Sequence, residues 1–462
     1  MTDTADIIPI TKKAKNSSAK KIALEDMNKR FAVVCIGGAV RVADFSYETP
    51  RYLSVNDFKT LMDNVFIEEE EETQEGETKT RRKKIAAVWL SWKNRRQYDN
   101  VEFAPNLSVE ERTYNLWKGW KFEPEEGGKF DMFLDHCKAN ICNGDEVLYN
   151  WVLDWLADMF QRPERKNGVA LVLRSSAEGT GKGRFATTIS NLINMANYVH
   201  ILQAQQLVGK FNAQLQYKIL AFVDEAFWGG DQQAKGALYG MITEPYLNIE
   251  AKNKDADFKR SFIRFIMATN LTWAVPANST ARRFCVLDVA ENSIRNRPYF
   301  TAMETQLTEH DNAGYKALLS FLLNRKYNEN VFSDVPKTNA LLDQKLNGIS
   351  DELRWWHEVL LTRRIGDYDP WDCNPLSPSV ECNTFFNAYL KWGENAKIRH
   401  PKTSVWLTRN INEYGGLNKN KIGLKRVSAG ALGTSTHYDL EKIELYRDAF
   451  EERLCQSINW EE

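Results

Sequence analysis

The chain has 462 residues, with 61 Lys plus Arg against 62 Asp plus Glu and a formal net charge of −1. That length supplies two to four domains with cores of their own, and the near-neutral balance excludes a global basic field, so any nucleic-acid surface has to be local. Seven cysteines, an odd and scattered set, point to reduced thiols in a cytoplasmic compartment rather than a disulfide scaffold. No secretory apolar core opens the sequence, and no apolar run approaches the roughly 18 residues of a spanning helix. A soluble protein without a membrane partner is expected.

Residues 1–30 are rich in Lys, Ser, Ala and Asp with little periodicity and are expected to be a mobile tail. Residues 31–125 read as a small α+β domain. Its first apolar runs flank Gly37-Gly38 as two short strands, and Leu53, Phe58, Leu61 and Met62 have helical spacing. Glu68 to Glu72 repel one another, so with Arg81-Arg82-Lys83-Lys84 they are expected to form a solvated, charge-compensated loop. The aromatics from Trp89 to Phe122 (Trp92, Tyr98, Phe103, Tyr114, Trp117, Trp120) are assigned to core packing, with a stacking platform for single strands as the alternative. Residues 126–165 form a helical, collar-like segment with Phe133, Leu134, Trp151, Val152, Trp155 and Leu156 on its apolar side. His136, Cys137 and Cys142 lie within it, but no second Cys/His pair stands at ligand spacing, so zinc is not expected.

The next unit, 166–345, carries the chemistry. Val169 to Leu173 is an apolar run that reads as a buried strand. It leads into Ser176-Ala-Glu-Gly-Thr-Gly-Lys-Gly-Arg184, a small-residue loop, and then a Pro-free segment able to be helical. Such a strand–loop–helix unit aims backbone N–H groups and a helix N-terminus at one point, where the phosphates of ATP can sit. Ser176, Ala177, Glu178, Gly179, Thr180, Gly181, Lys182, Gly183 and Arg184 are the candidate ATP-binding residues, with Lys182 reaching the β- and γ-phosphates. Two positions depart from the Walker A pattern. Ser176 replaces the first glycine, and Gly183 replaces the hydroxyl residue that normally holds Mg²⁺.

Further on, Ile219 to Val223 forms a second apolar strand that runs into Asp224-Glu225. Ligands of open α/β sheets bind at that end of the strands. Asp224 is the candidate Mg²⁺ ligand and Glu225 the residue that polarises the attacking water. A third strand, Phe262 to Thr269, ends in Asn270, whose amide can orient that water. Between the last two, Leu247–Ile249 and Phe262–Arg264 alternate around a charged turn at Lys252-Asn-Lys-Asp255, a hairpin signature. Arg282 and Arg283 precede another apolar strand, where one of them can project into a neighbouring subunit's nucleotide site. A structural salt-bridge role is the alternative.

Residues 346–462 read as helix, helix, helix and hairpin, the order of a winged-helix domain. A helix starts at Ser350 and others cover Phe385–Trp392 and Thr403–Tyr414; strands cover 422–427 and 434–438. Between Ala396 and Arg426 lie eight basic residues and one acid, Glu413. Lys402, Arg409, Lys419, Lys421 and Lys425 are the candidate phosphate contacts in this patch, and a protein-interaction module is the alternative.

The ordered set Lys182, Asp224-Glu225, Lys235-Gly236, the Lys-bearing hairpin, Asn270 and Arg282-Arg283 resembles the superfamily 3 DNA helicases, most nearly the phage, prophage and poxvirus-type primase-helicases. The resemblance covers residues 85–290, and its motifs lie within 176–283. It implies an α/β, AAA+-like P-loop ATPase core that assembles as a hexameric ring. Lys252, Lys254 and Lys259 of the hairpin would contact single-stranded DNA in the central channel, with 3′→5′ polarity. No primase domain can fit ahead of the helicase part, so priming is not carried over. The expected function is an ATP- and Mg²⁺-dependent replicative helicase of a phage, prophage or mobile element, in the bacterial host cytoplasm. Duplex DNA at the winged helix and a separate primase or origin-binding protein are its further expected partners. The alternative is a DNA-stimulated ATPase that remodels or recruits replication proteins without strand separation.

Overall fold

The computed structural model describes residues 17–47, 49–72, 78–203, 206–207, 209, 212–225, 232–250, 256–278, 281–373, 375, 377–414, 422–428 and 434–461. They divide into two compact units, Met1–Trp120 and Lys121–Glu462.

In the first unit, helix Ser17–Arg30 precedes β1 (Phe31–Ile36), β2 (Ala39–Asp44) and β3 (Arg51–Leu53). Residues 17–30 are thus helical where a mobile tail is expected from the sequence. Ala23, Leu24 and Met27 bury one face against the core that holds Phe31, Phe58 and Trp89. Gly37 and Gly38 both take positive φ (56° and 74°), which two-residue hairpin turns require. The acidic run also departs from expectation. It is a strand, β4 (Phe66–Glu72), paired antiparallel with β5 (Thr78–Lys84) in a register that sets position 68 opposite 82 and 69 opposite 81. Repulsion along one strand is offset across the ladder, and Arg82 Nε lies 3.0 Å from Glu68 Oε1. Short strands β6 (Gln97–Tyr98), β7 (Asn100–Glu102) and β8 (Thr113–Asn115) complete the unit. Trp89 is fully buried, and Phe45, Tyr98 and Tyr114 pack ring against ring.

The second unit is built on a five-stranded, all-parallel sheet. Its members are β9 (Ala170–Arg174), β10 (Tyr198–Ile201), β11 (Leu220–Asp224), β14 (Arg264–Thr269) and β15 (Phe284–Asp288). β12 (Tyr246–Ile249) and β13 (Asp257–Arg260) form a separate antiparallel hairpin. The sheet order is β10-β11-β14-β9-β15. Its central strands are continuous apolar runs because both faces are covered. Because all five strands run the same way, the residues that follow β11, β14 and β9 emerge side by side along one edge.

Helix Glu146–Gln161 is pinned to this sheet by a buried ion pair, Arg264 Nη2 to Asp158 Oδ2 at 3.2 Å, which Arg165 and Tyr327 extend. Removing one partner of such a pair strands a buried charge. The segment Arg297–Asn324 is two helices rather than one. The chain turns at residues 309–312, where His310, Asp311 and Asn312 take left-handed φ.

Beyond helix Asn339–Gly348 come helices Asp351–Thr362, Pro370–Cys373, Cys382–Asn395, Ser404–Tyr414 and Ile443–Leu454. They surround a three-stranded antiparallel sheet of β16 (Ser379–Glu381), β17 (Gly423–Ser428) and β18 (Thr434–Asp439), in the order β16-β18-β17. Helix Asn339–Gly348 ties this module to the parallel sheet. Gln344 bonds Thr272, Ala274 and Val275, while Lys345 Nζ donates to the Leu454 carbonyl. No helix among the described residues is long and apolar enough to cross a membrane.

Candidate functional site

β9 ends at Arg174, and the chain crosses the loop from Ser175 to Gly181 before entering helix Lys182–Ser190. Gly179 (φ 76°) and Gly181 (φ 99°) supply the left-handed turns that bring the loop back over the helix N-terminus. The loop has internal braces: Ser175 Oγ donates to the Ala177 carbonyl at 2.7 Å, and the Thr180 side chain is buried. Ser176 Oγ donates to Glu291 Oε1 at 2.6 Å. Gly183 faces open space: a Cβ added there would meet nothing within 4 Å.

Lys182, only 8% exposed, turns its ammonium toward the carboxyl edge of the sheet. It donates to Ser175 Oγ and to Asn270 Oδ1 at 2.7 Å. Asn270 Nδ2 in turn donates to Glu225 Oε1 at 3.1 Å. A continuous chain, Lys182–Asn270–Glu225, therefore spans the ends of β9, β14 and β11. Burial lowers the Lys182 pKa, and Glu225, Asp224, Glu178 and Glu291 oppose that shift. Glu225 sits at φ 55°, a left-handed conformation that costs a residue with a Cβ about 1–2 kcal/mol. Strain held at the end of a strand beside a buried lysine marks a place where side-chain direction matters. Asp224 lies at the same edge, 3.7 Å from His200 Nε2 on β10. Among the described residues no group of three or more His, Cys, Asp and Glu forms a metal cage.

The loop has a support that sequence reasoning missed. His136 is fully buried at the end of helix Asp131–His136, just ahead of a π-helical turn, Cys137–Ile141. Ser293 Oγ donates to Asn140 Oδ1 (3.3 Å), leaving Asn140 Nδ2 to donate to His136 Nδ1 (2.9 Å). Nε2 then carries the ring proton and donates it to the Gly181 carbonyl at 3.3 Å. Burial holds the imidazole neutral by lowering its pKa to about 4. A Cβ on Gly181 would lie 2.4 Å from His136 Cε1 and 2.9 Å from Phe300 Cε1. On the other side, the Arg295 N–H donates to the Gly179 carbonyl at 3.0 Å and its Cγ covers that glycine. His136 stands out in the sequence only as a possible metal ligand, and nothing in its spacing points to Gly181.

The remaining candidates lie elsewhere. Arg282 is exposed, and Arg283 stacks over Tyr239, 4.7 Å from guanidinium carbon to ring centroid. Lys235 approaches the same ring at 5.7 Å. Both arginines precede β15 and so stand at the amino edge of the sheet, opposite Lys182, Asp224 and Asn270. At about 3.3 Å per residue, the strand separates the two edges by roughly 15 Å. Within one chain the structure does not bring them together. Lys259 on β13 pairs with Asp257 at 2.5 Å, whereas Lys252 and Lys254 lie outside the described residues. Lys402 is exposed just before helix Ser404–Tyr414, and Arg409 on that helix pairs with Glu413 at 3.2 Å. Lys425 lies on β17; Lys419 and Lys421 lie outside the described residues.

Comparison with known proteins meets the same stretch. The model of a family of unknown function, DUF5906, matches residues 173–283, from the end of β9 to Arg283. The chain is 26% identical over 288 residues to the DNA primase-polymerase of Nitratiruptor phage NrS-1, covering 59% of this chain and 39% of that protein. It therefore spans about two fifths of the length of the curated relative it matches. An apo structure of the NrS-1 C-terminal region superposes with a TM-score of 0.61 at 16% identity, over 91% of this chain and 98% of that one. A second, the A form, gives 0.62 at 15% identity over the same shares. The chain is homologous to the NrS-1 phage primase-polymerase, and its mixed α/β fold with a parallel sheet is that of the NrS-1 C-terminal region.

Proposed function

We propose that the chain is an ATP-driven DNA motor of phage or mobile-element replication, a superfamily 3-type helicase working as a hexameric ring. The observation that carries this reading is the Lys182–Asn270–Glu225 chain, held at the carboxyl edge of a parallel sheet beside a loop with two left-handed glycines. Homology to a phage DNA primase-polymerase supports the setting. The sheet then corresponds to an AAA+-like P-loop core. The order of helices and strands after residue 350 supports reading that module as a winged-helix domain.

In this reading the loop amides and the N-terminus of helix Lys182–Ser190 bind the phosphates of ATP. Neutral oxygens, Ser175 Oγ and Asn270 Oδ1, hold the Lys182 ammonium in place. An anionic γ-phosphate competes with them and draws Lys182 away. Asn270 is then released to orient the attacking water, and Glu225 accepts a proton from it. Asp224 would hold Mg²⁺, which neutralises charge on the phosphates. Gly183 has no side-chain oxygen to offer, so the other ligands would be phosphate and water. Either Arg282 or Arg283, at the far edge, acts on the site of a neighbouring subunit. Lys252, Lys254 and Lys259 of the hairpin contact the strand in the channel.

The test is ATP turnover together with unwinding of a forked DNA, beside Lys182→Ala and Glu225→Gln. Turnover and unwinding should both depend on Lys182, and Glu225→Gln should bind ATP while losing most turnover. Turnover without strand separation would favour a remodelling motor. Full activity in both variants would remove the proposed site.

A further inference from the structure

The exposed face of helix Ser404–Tyr414 has a composition that phosphate binding does not explain. Its inner face is fixed: Leu407 and Ile411 are fully buried, Thr408 Oγ1 bonds the Tyr438 hydroxyl at 2.8 Å, and Asn410 Nδ2 donates to Glu352 Oε1 at 3.3 Å. Its outer face presents Val405, 75% exposed, and Trp406, 52% exposed. About half of a large aromatic side chain is thus left in water. Cations lie close to it in the sequence. Lys397, Arg399 and Lys402 are exposed in the segment leading into the helix. The Arg409 guanidinium carbon lies 5.3 Å from the Trp406 ring centroid. Between residues 396 and 414 the only acid is Glu413.

We infer that Trp406 is a stacking platform for an unpaired base of single-stranded DNA, with Lys402 and Arg409 taking the flanking phosphates. This inference rests on the proposed function. Three arguments select a single strand. An indole face matches the π-face of a base, which is free in a single strand and covered in a duplex. A helix reading the major groove instead needs side chains that pair with base edges, typically Arg, Asn or Gln; the first turn of the outer face offers Val405 and Trp406. A nucleic-acid strand also complements the charge of residues 396–414, where Lys397, Arg399, Lys402 and Arg409 stand against the single acid Glu413. The module would hold one displaced strand near the motor.

The experiment uses the full chain without nucleotide. A thymidine oligonucleotide carrying 5-bromodeoxyuridine is irradiated with the protein and the cross-linked peptide is mapped, while affinity for single-stranded and duplex DNA is measured by anisotropy. Because Trp406 is exposed, Trp406→Ala should unfold at the wild-type temperature. The expected cross-link falls on Trp406. Trp406→Ala should weaken single-strand binding roughly 5- to 100-fold, and Trp406→Phe should largely retain it. Duplex affinity should stay unchanged. The salt slope should be unaltered in Trp406→Ala and shallower in Lys402→Ala. No cross-link at Trp406, or unchanged single-strand affinity in Trp406→Ala, overturns the inference and leaves the ATPase reading standing. An equal loss on duplex overturns it in favour of a groove contact. Failure to bind either DNA at low salt removes both readings.

Discussion

The two glycines that flank Lys182, one in the loop and one in the helix, should respond oppositely to the same methyl group. At Gly181 a Cβ lies 2.4 Å from His136 Cε1, 2.7 Å from His136 Nε2 and 2.9 Å from Phe300 Cε1, and the backbone sits at φ 99°. The left-handed conformation costs about 1–2 kcal/mol and overpacking about 1–3 kcal/mol, so Gly181→Ala should lose roughly 2–5 kcal/mol. His136 cannot step aside cheaply, because both ring nitrogens are bonded. At Gly183 nothing lies within 4 Å of the added carbon and the residue is helical. Gly183→Ala should therefore gain about 0.5–1 kcal/mol by restricting the unfolded chain. Urea denaturation without nucleotide, followed by far-UV circular dichroism, reads both. A Gly181→Ala–His136→Ala double variant should fall short of additivity by at least about 1 kcal/mol, since the second change removes part of the clash. Equal midpoints for Gly181→Ala and wild type would refute the buried clamp. A loss at Gly183 would refute the open space.

His136 also predicts an acid limb of stability. Its folded pKa of about 4 lies below the ordinary 6.5, so the unfolded chain binds the extra proton between those values. The contribution, on the order of 3 kcal/mol, is complete above about pH 6.5 and is lost as the pH falls toward 4. His136→Gln should flatten that limb; an unchanged slope would assign it to other groups. At the hairpin, Lys252→Ala with Lys254→Ala should remove the increment that single-stranded DNA adds to ATP turnover, and a full increment would move the contact elsewhere. Lys182→Ala chains mixed with Arg282→Ala, Arg283→Ala chains should recover turnover that neither shows alone. No recovery on mixing would place the arginines outside a shared site.

The loop, the strands and their terminal residues were legible because each rests on a local rule. Gly179 and Gly181 occupy positive φ, the runs Ala170–Leu173 and Leu220–Val223 are buried on both faces, Asp224 ends β11 and Asn270 follows β14. What escaped was set by distance. His136 is 45 residues from Gly181, and Asn140 is 153 residues from Ser293; neither separation leaves a periodic trace. Helix Ser17–Arg30 is weakly amphipathic and is held by its packing through Leu24 and Met27 rather than by its own pattern. The acidic run misled for another reason. Its repulsion is real along the strand, but the basic run falls opposite it, and only the register of β4 on β5 reveals the offset.

The direction of the strands also limits what one chain can do. Parallel order puts Lys182, Asp224, Glu225 and Asn270 together without any further instruction, because each follows a strand that ends at the same edge. The same order puts Arg282 and Arg283 before β15, at the opposite edge. Arg283 carries its ring partner there, stacked on Tyr239, while Arg282 is exposed. No side-chain rotation closes a gap of roughly 15 Å set by the strand itself. If these arginines stabilise charge during hydrolysis, the second half of the site must come from another chain, and turnover becomes a property of the assembly. A ring built that way couples each subunit's chemistry to its neighbour's position, which is what a motor needs to move in sequence.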